Sequence, residues 1–346
     1  MTYRLVHYTP EWEQAVSRCN SRLAKDGAAP FLLPTRAVFS SSIRREHWLI
    51  VSSDDEVRGG CLLQFHTAWV GSAAMEVTNL QSPLSEGVGN RDYTAVAPYM
   101  MRAVTRRYPR TYSVGGGSEH MPYLRLTKAL HWTLKPVPFF FRVLHGRRFL
   151  SHIQPLQRRW GLGLLARIVA KVPFAADLAF EELHRMRTRI GPLRTAGAVP
   201  EWSDIRDRYG FAVERTPDLL DALYPPNDPR FHRIAVFGAL GVVAVREFHQ
   251  GKYFGDLRVA TLVEMLVENG SAGLLLSAIL EFATGTGADL LVTNQSDPEL
   301  CRALRSAGWL EHASNYFVNL APGLAAAVGE RPIYVTRGDG DGLLNL

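Results

Sequence analysis

Polar and apolar positions alternate over Tyr3–His7 as they do in an edge strand. His47–Ser52 (HWLIVS), Val57–Ala68 and Ala74–Leu80 (AMEVTNL) are further apolar or alternating runs. Asp54, Asp55 and Glu56 part the first two of these runs, which predicts a hairpin followed by a third strand. Gly59 and Gly60, inside the second run, predict a bulge or a close backbone approach. Pro10–Leu23 opens with proline and acid and predicts a helix, as does Val96–Tyr108. Further along, Ala212–Val213 reads as a short strand and Asp218–Leu223 as part of a helix. Phe231–Phe237 and Leu240–Phe248 read as a hairpin, Arg258–Val267 as a long strand, and Gly273–Thr284 as a helix.

One pattern occurs twice. Thr111–Val143 and Asp289–Leu320 each run from a short strand, through a polar break, into a helix opened by proline. Each then closes on a tryptophan and ends in a strand that carries an aromatic. Trp132 and Trp309 are 309 − 132 = 177 residues apart, and Phe141 and Phe317 are 317 − 141 = 176 apart. This shared register implies a duplicated domain. The expected fold class is α+β, with two domains of mixed, mostly antiparallel sheet flanked by helices. The expected boundaries are residues 1–145 for the first domain, 146–195 for a basic helical linker, 196–322 for the second domain and 323–346 for a tail with one strand.

Composition narrows the partners without choosing one. The chain has 346 residues, is 47% hydrophobic and carries a net charge of +6. That surplus suits a phosphate-bearing donor, an acidic acyl carrier protein, RNA or a lipid surface. Cys19, Cys61 and Cys301 have no metal-ligand spacing, so no metal is expected, and they read as reduced thiols of a cytoplasmic protein. The start, MTYRLVHYTPEWEQ, lacks the apolar core of a signal peptide, and no run reaches the roughly 20 apolar residues of a membrane span. Within the linker, residues 156–174 place Leu162, Leu165, Ile168 and Val169 at helical spacing among arginines and a lysine. Such a helix either makes peripheral membrane contact or packs as a linker across both domains. Asp339 and Asp341 in RGDGDG lack the other ligands of a calcium loop and read as a turn.

The element order, with its strand–helix–Gly-Trp–strand ending, resembles the GNAT acyltransferase superfamily, and in particular the tandem-GNAT proteins of bacterial polysaccharide and cell-envelope metabolism. That resemblance implies an acyltransferase that moves an acetyl or longer acyl group from acetyl-CoA, another acyl-CoA or a carrier thioester. The acceptor would be an amine or hydroxyl, on a small molecule or a glycan precursor. It implies a donor loop with small residues at the mouth of a helix, where free amides and the helix dipole attract an anion. Gly270, Ser271, Ala272 and Gly273 stand at that place, after the strand that ends in Leu266 and Val267, whose backbone amides would meet the acyl carbonyl. Val267 replaces the usual Gln or Arg of the loop pattern. The matching stretch of the first half, Gln81 to Val96, has glycines but not the pattern.

Glu264 and Glu76 sit mid-strand among apolar neighbours and are the candidate bases, since burial raises a carboxyl pKa. The tyrosine that often acts as acid in the family, five residues before the helix-closing aromatic, is replaced by Thr127 and Leu304. Tyr123 and Asn294 are the candidate substrate-binding residues, with Glu119 and His120 beside the first. Two other readings remain. One is a Fem-type transferase that uses aminoacyl-tRNA; the other is a non-catalytic binding protein built from worn GNAT domains.

Overall fold

The computed structural model describes residues 2–25, 32–35, 43–117, 120–154, 175–185, 200–251, 253–268, 270–314 and 316–340. The chain begins with β1 (Tyr3–His7), α1 (Glu13–Lys25), β2 (Arg45–Ser52), β3 (Val57–Val70) and β4 (Ala73–Ser85). It continues with α2 (Val96–Arg107), β5 (Thr111–Gly116), α3 (Pro122–Ala129), β6 (Thr133–Pro136) and β7 (Phe139–Val143). Then come α4 (Gly146–His152), α5 (Ala175–Arg185), α6 (Trp202–Arg206), β8 (Phe211–Val213) and α7 (Pro217–Leu223). The second half follows with β9 (Phe231–Val236), β10 (Ala239–Glu247), β11 (Arg258–Val267), α8 (Ala272–Gly285), β12 (Leu290–Asn294), α9 (Pro298–Ser306) and β13 (Leu310–His312). The last elements are β14 (Tyr316–Leu320), α10 (Pro322–Val328) and β15 (Ile333–Tyr334).

Two compact units result, but they do not divide the chain in the middle. The first takes Met1–Pro136, Tyr209–Glu214 and Tyr316–Arg331, and the second takes the remainder. The first sheet runs β1-β2-β3-β4-β5-β14-β6, with β8 on the far end of β3. The second runs β13-β7-β12-β11-β10-β9. Only β4–β5 and β11–β12 pair in parallel among the pairs on these two paths.

The expected boundaries are therefore corrected at three places. β14 lies between β5 and β6 of the first sheet, and β7 lies between β12 and β13 of the second, so each half lends its closing strand to the other unit. β8, expected to open the second domain, extends β3 of the first. The proposed linker helix over 156–174 lies outside the described residues, as does Asp341. Among the described residues, no helix is long and apolar enough to cross a membrane.

In the first unit the sheet has a helix on each face. Val51, Val57 and Leu84 pack with α1 residues such as Val16 and Leu23. Ile50, Leu63, Phe65 and Leu80 pack with Met100, Met101 and Val104 of α2 and with Trp132. Leu80 and Leu84 are four apart on one strand and would share a face if the strand were regular. A bulge opposite Cys61 separates them, because Leu62 pairs with Gln81 but Gly60 pairs with Leu84. Ser82 takes up the extra residue at φ 46°, a left-handed conformation that costs energy for any residue but glycine. The glycines of β3 make room for it: a Cβ on Gly59 would lie 2.5 Å from the Leu84 carbonyl oxygen.

Candidate active site

Each parallel pair opens into a fork, and all the candidate residues but Glu76 lie at or beside these two forks. In the second unit β11 and β12 pair only from Val259–Leu290 to Leu262–Thr293. Thr293 Oγ1 donates to the Leu262 carbonyl at 2.8 Å and fastens the crotch. Beyond it β11 bulges against β10, where Val242 pairs with Glu264 and Val243 with Leu262.

The chain's own tail fills this fork. Thr336 bridges to Gln295, and Ser296 exchanges hydrogen bonds with Val335 at 3.1 and 2.7 Å. The Tyr334 hydroxyl donates to Glu264 Oε1 at 2.9 Å. Arg215 ties the two sides together: its Nε donates to Glu264 Oε2 at 2.6 Å and its Nη2 to Asp339 Oδ2 at 2.7 Å. All three charged groups are buried. Burial pushes the Glu264 carboxyl up, and Asp339 adds to this while Arg215 opposes it. Burial also works against the Arg215 charge, but Asp339 and Glu264 outweigh it and hold the guanidinium protonated. Two carboxylates share one cation here, so the second carboxylate adds to the effect of burial on Glu264. Glu264 is thus buried as expected, with both oxygens taken by donors of its own chain.

Asn294 stands at the same fork. Its Oδ1 accepts from Arg337 Nη1 at 2.9 Å, and its Nδ2 donates to the Val137 carbonyl at 3.2 Å. Leu266 and Val267 are buried at the end of β11, where the Val267 carbonyl accepts from Arg208 Nη2 at 2.8 Å. The turn beyond is more open. Gly270 has φ 88°, and a Cβ added to it or to Gly273 would meet nothing within 4 Å. Ser271 occupies the N-cap of α8 without a side-chain cap bond, and Ala272 opens the helix.

In the first unit β4 and β5 pair only at Thr78–Thr111 and Asn79–Tyr112. The bulge at Ser82 lies just past the crotch on one arm, and Ser113 is the first residue of the other. The Tyr123 hydroxyl lies 2.6 Å from Ser113 Oγ, and Asn319 Nδ2 donates to the same oxygen at 3.1 Å. Asn319 is fully buried on the exchanged strand β14, and its Oδ1 has no hydrogen-bond partner. No described strand or bridge pairs with Gln81–Ser85 or Ser113–Gly116 on the side that faces into the fork.

Glu76 corrects the burial expected of it. It is an exposed residue of β4 whose carboxylate pairs with Arg44 at 3.0 Å, so the desolvation argument does not apply. Tyr123 and Asn319 share one cluster, and Glu264 and Asn294 share the other fork. Arg215 and Asn319 were missed in the sequence, and Asp339 was read there only as part of a turn. Only Asn319 carries a signal, as a polar residue inside an apolar strand: it stands in YFVNL where the repeat has Val143.

No protein-family model matches the chain, and no curated protein matches it. Solved structures do. N-myristoyltransferase of Saccharomyces cerevisiae with bound myristoyl-CoA superposes at a TM-score of 0.50, with 10% identity over 92% of this chain and 78% of that one. A GCN5-related N-acetyltransferase from Kribbella flavida matches at a TM-score of 0.48 and 16% identity, over 94% of this chain and 73% of that one. A conserved Enterococcus faecalis V583 protein described as a probable N-acyltransferase matches at 0.43 and 9%, over 93% and 73%. The fold is α+β with two mixed sheets and matches the tandem-GNAT fold of the myristoyltransferase.

Proposed function

We propose that this chain is an acyltransferase that moves an acyl group from a thioester, on CoA or on a carrier, to an amine or hydroxyl. In that reaction the acceptor atom attacks the thioester carbonyl carbon and a new C–N or C–O bond forms. The C–S bond breaks, the acceptor's proton passes to a base, and the thiolate leaves as a thiol once it is protonated. The observation that carries the reading is the fork of the first unit. A parallel pair opens beside a bulged arm whose inner edge no described strand covers, which suits an extended ligand, and sets a hydroxyl cluster at the crotch. Tyr123 is the proton donor to the leaving thiolate in this scheme. The uncapped mouth of α8, with Gly270 and Gly273, is a second place suited to an anionic part of a ligand. The fold neighbour from yeast was crystallised with a donor of this class, myristoyl-CoA. A sugar or envelope precursor is the acceptor class suggested by the sequence resemblance.

The test is thiol release from a series of acyl-CoA and acyl-pantetheine thioesters, in the parent and in Tyr123→Phe. The parent is expected to consume at least one donor, and loss of the acid should lower kcat on the order of 100-fold with the melting temperature kept. Equal kcat in the two proteins would remove Tyr123 from the mechanism. A parent that consumes no thioester would remove the reading itself.

A further inference from the structure

The face of the first unit that carries α2 and α3 is rich in arginine. From Thr94 to Lys135 the sequence holds seven Lys or Arg and a single carboxylate, Glu119. That surplus of six is as large as the net charge of the whole chain. Arg102, Arg106 and Arg107 on α2, Arg110 just after it, and Arg125 on α3 are exposed. The two helices lie on one side of the sheet, since Met100, Met101 and Val104 of α2 share a cluster with Tyr123 and Leu126 of α3. Arg107 lies over the Trp48 ring, 4.7 Å from its centroid. Arg102, Arg106, Arg110 and Arg125 have no carboxylate partner among the described residues. Solvated arginines of one sign on one face repel each other, and an anionic partner relieves that repulsion.

The loop between the fork and α2 restricts what the partner can be. Glu86 is buried there, accepting from Arg22 Nε at 2.9 Å and from Arg58 Nη1 at 3.3 Å. A Cβ on Gly87 would lie 2.5 Å from the Tyr93 carbonyl oxygen, so this turn is folded tightly on itself. It offers a nucleotide diphosphate a carboxylate already matched with arginines, in place of the open glycine turn found at Gly270. The fork itself still suits a thin, extended arm. A membrane partner would need apolar side chains on the same face. Of the large apolar residues that are well exposed, only Met121 falls within this stretch.

We propose that the α2–α3 face docks an acidic carrier protein that presents its acyl thioester on a pantetheine-type arm to the first unit's fork. This rests on the acyl-transfer reading and names its donor. It also gives the exchanged strand a part in the site, since Asn319 comes from the second half of the chain.

The experiment uses the full chain with five probes: an acetylated acyl carrier protein, S-acetylpantetheine, acetyl-CoA, tRNA and anionic vesicles. Affinities are measured between 25 and 300 mM salt for the parent, for Arg102→Gln/Arg106→Gln, and for Arg102→Glu/Arg106→Glu. Over this range the screening length of surface charge shortens from about 20 Å to about 6 Å. The preference for carrier over free acetylpantetheine should fall at least about tenfold in the charge-reversed protein and less in the neutral one. It should also weaken with salt in the parent. Equal carrier affinity in all three proteins overturns the docking surface, as does a parent that prefers tRNA or anionic vesicles to the carrier. Acetyl-CoA consumed with no carrier bound removes the docking surface alone. A carrier that binds by these arginines while its thioester is never consumed removes the acyl-transfer reading and leaves the surface standing.

Discussion

Arg215 is the residue on which the second fork depends. It is buried between Glu264 and Asp339, and its two short ion pairs hold the tail segment against β11. Removing one partner of a buried ion pair strands the other charge in a medium that solvates it poorly. Arg215→Met is therefore expected to cost about 3–5 kcal/mol in denaturant unfolding. A cost below 1 kcal/mol would mean that the cluster is solvated after all. His47 is a quieter case. It is buried, stacks on Tyr8, has no hydrogen-bond partner at either ring nitrogen among the described residues, and burial pulls its pKa down from 6.5 to about 4. The unfolded chain binds that proton more readily than the folded one. Stability from this group is therefore whole above about pH 6.5 and is lost as pH falls toward 4. The loss is on the order of 3 kcal/mol. His47→Phe should remove this slope and leave the protein at least as stable at pH 5. An unchanged slope in unfolding free energy from pH 7 to 4 would contradict it.

At the scale of elements, the exchange of β7 and β14 decides how the chain can be cut. β6 pairs only with β14, and β5 loses its neighbour on that side if β14 is removed. A fragment of residues 1–145 is expected to be unfolded or molten alone, and to gain a dispersed NMR spectrum only when the second half is supplied. A well-dispersed spectrum of the fragment by itself would show that the exchange is dispensable. This feature was not legible in the sequence. Phe139–Val143 and Tyr316–Leu320 both read as strands with an aromatic, and periodicity reports that a segment is a strand, not which sheet receives it. The elements themselves were legible, because the runs at Val57–Ala68 and Arg258–Val267 and the proline-opened helices carry local signals. β8 misled for the same reason as β14: three apolar residues cannot name their neighbour.

For the whole molecule, duplication could be read from the Trp132 and Trp309 register, and the forked parallel pairs follow from the fold it implied. What each fork contains could not be read. Glu264 looks alike as a buried base or as a clamp until Arg215 and Asp339, distant in sequence, are brought to it. Asn294 looked like an acceptor contact and lies beside the tail. Among the described residues the second fork is closed by the tail and the first is lined by Ser113, Tyr123 and Asn319. Thioester binding is the property on which the acyl-transfer reading stands. The most direct measurement is thermal unfolding of the full chain with and without excess acyl-pantetheine and acyl-CoA. A ligand that binds only the folded protein, at 100 times its Kd, adds about 2.7 kcal/mol. Stabilisation of that order by an acyl thioester, absent with the matching free acid, is the expected result. No stabilisation by any thioester, from acetyl to long-chain, would contradict it.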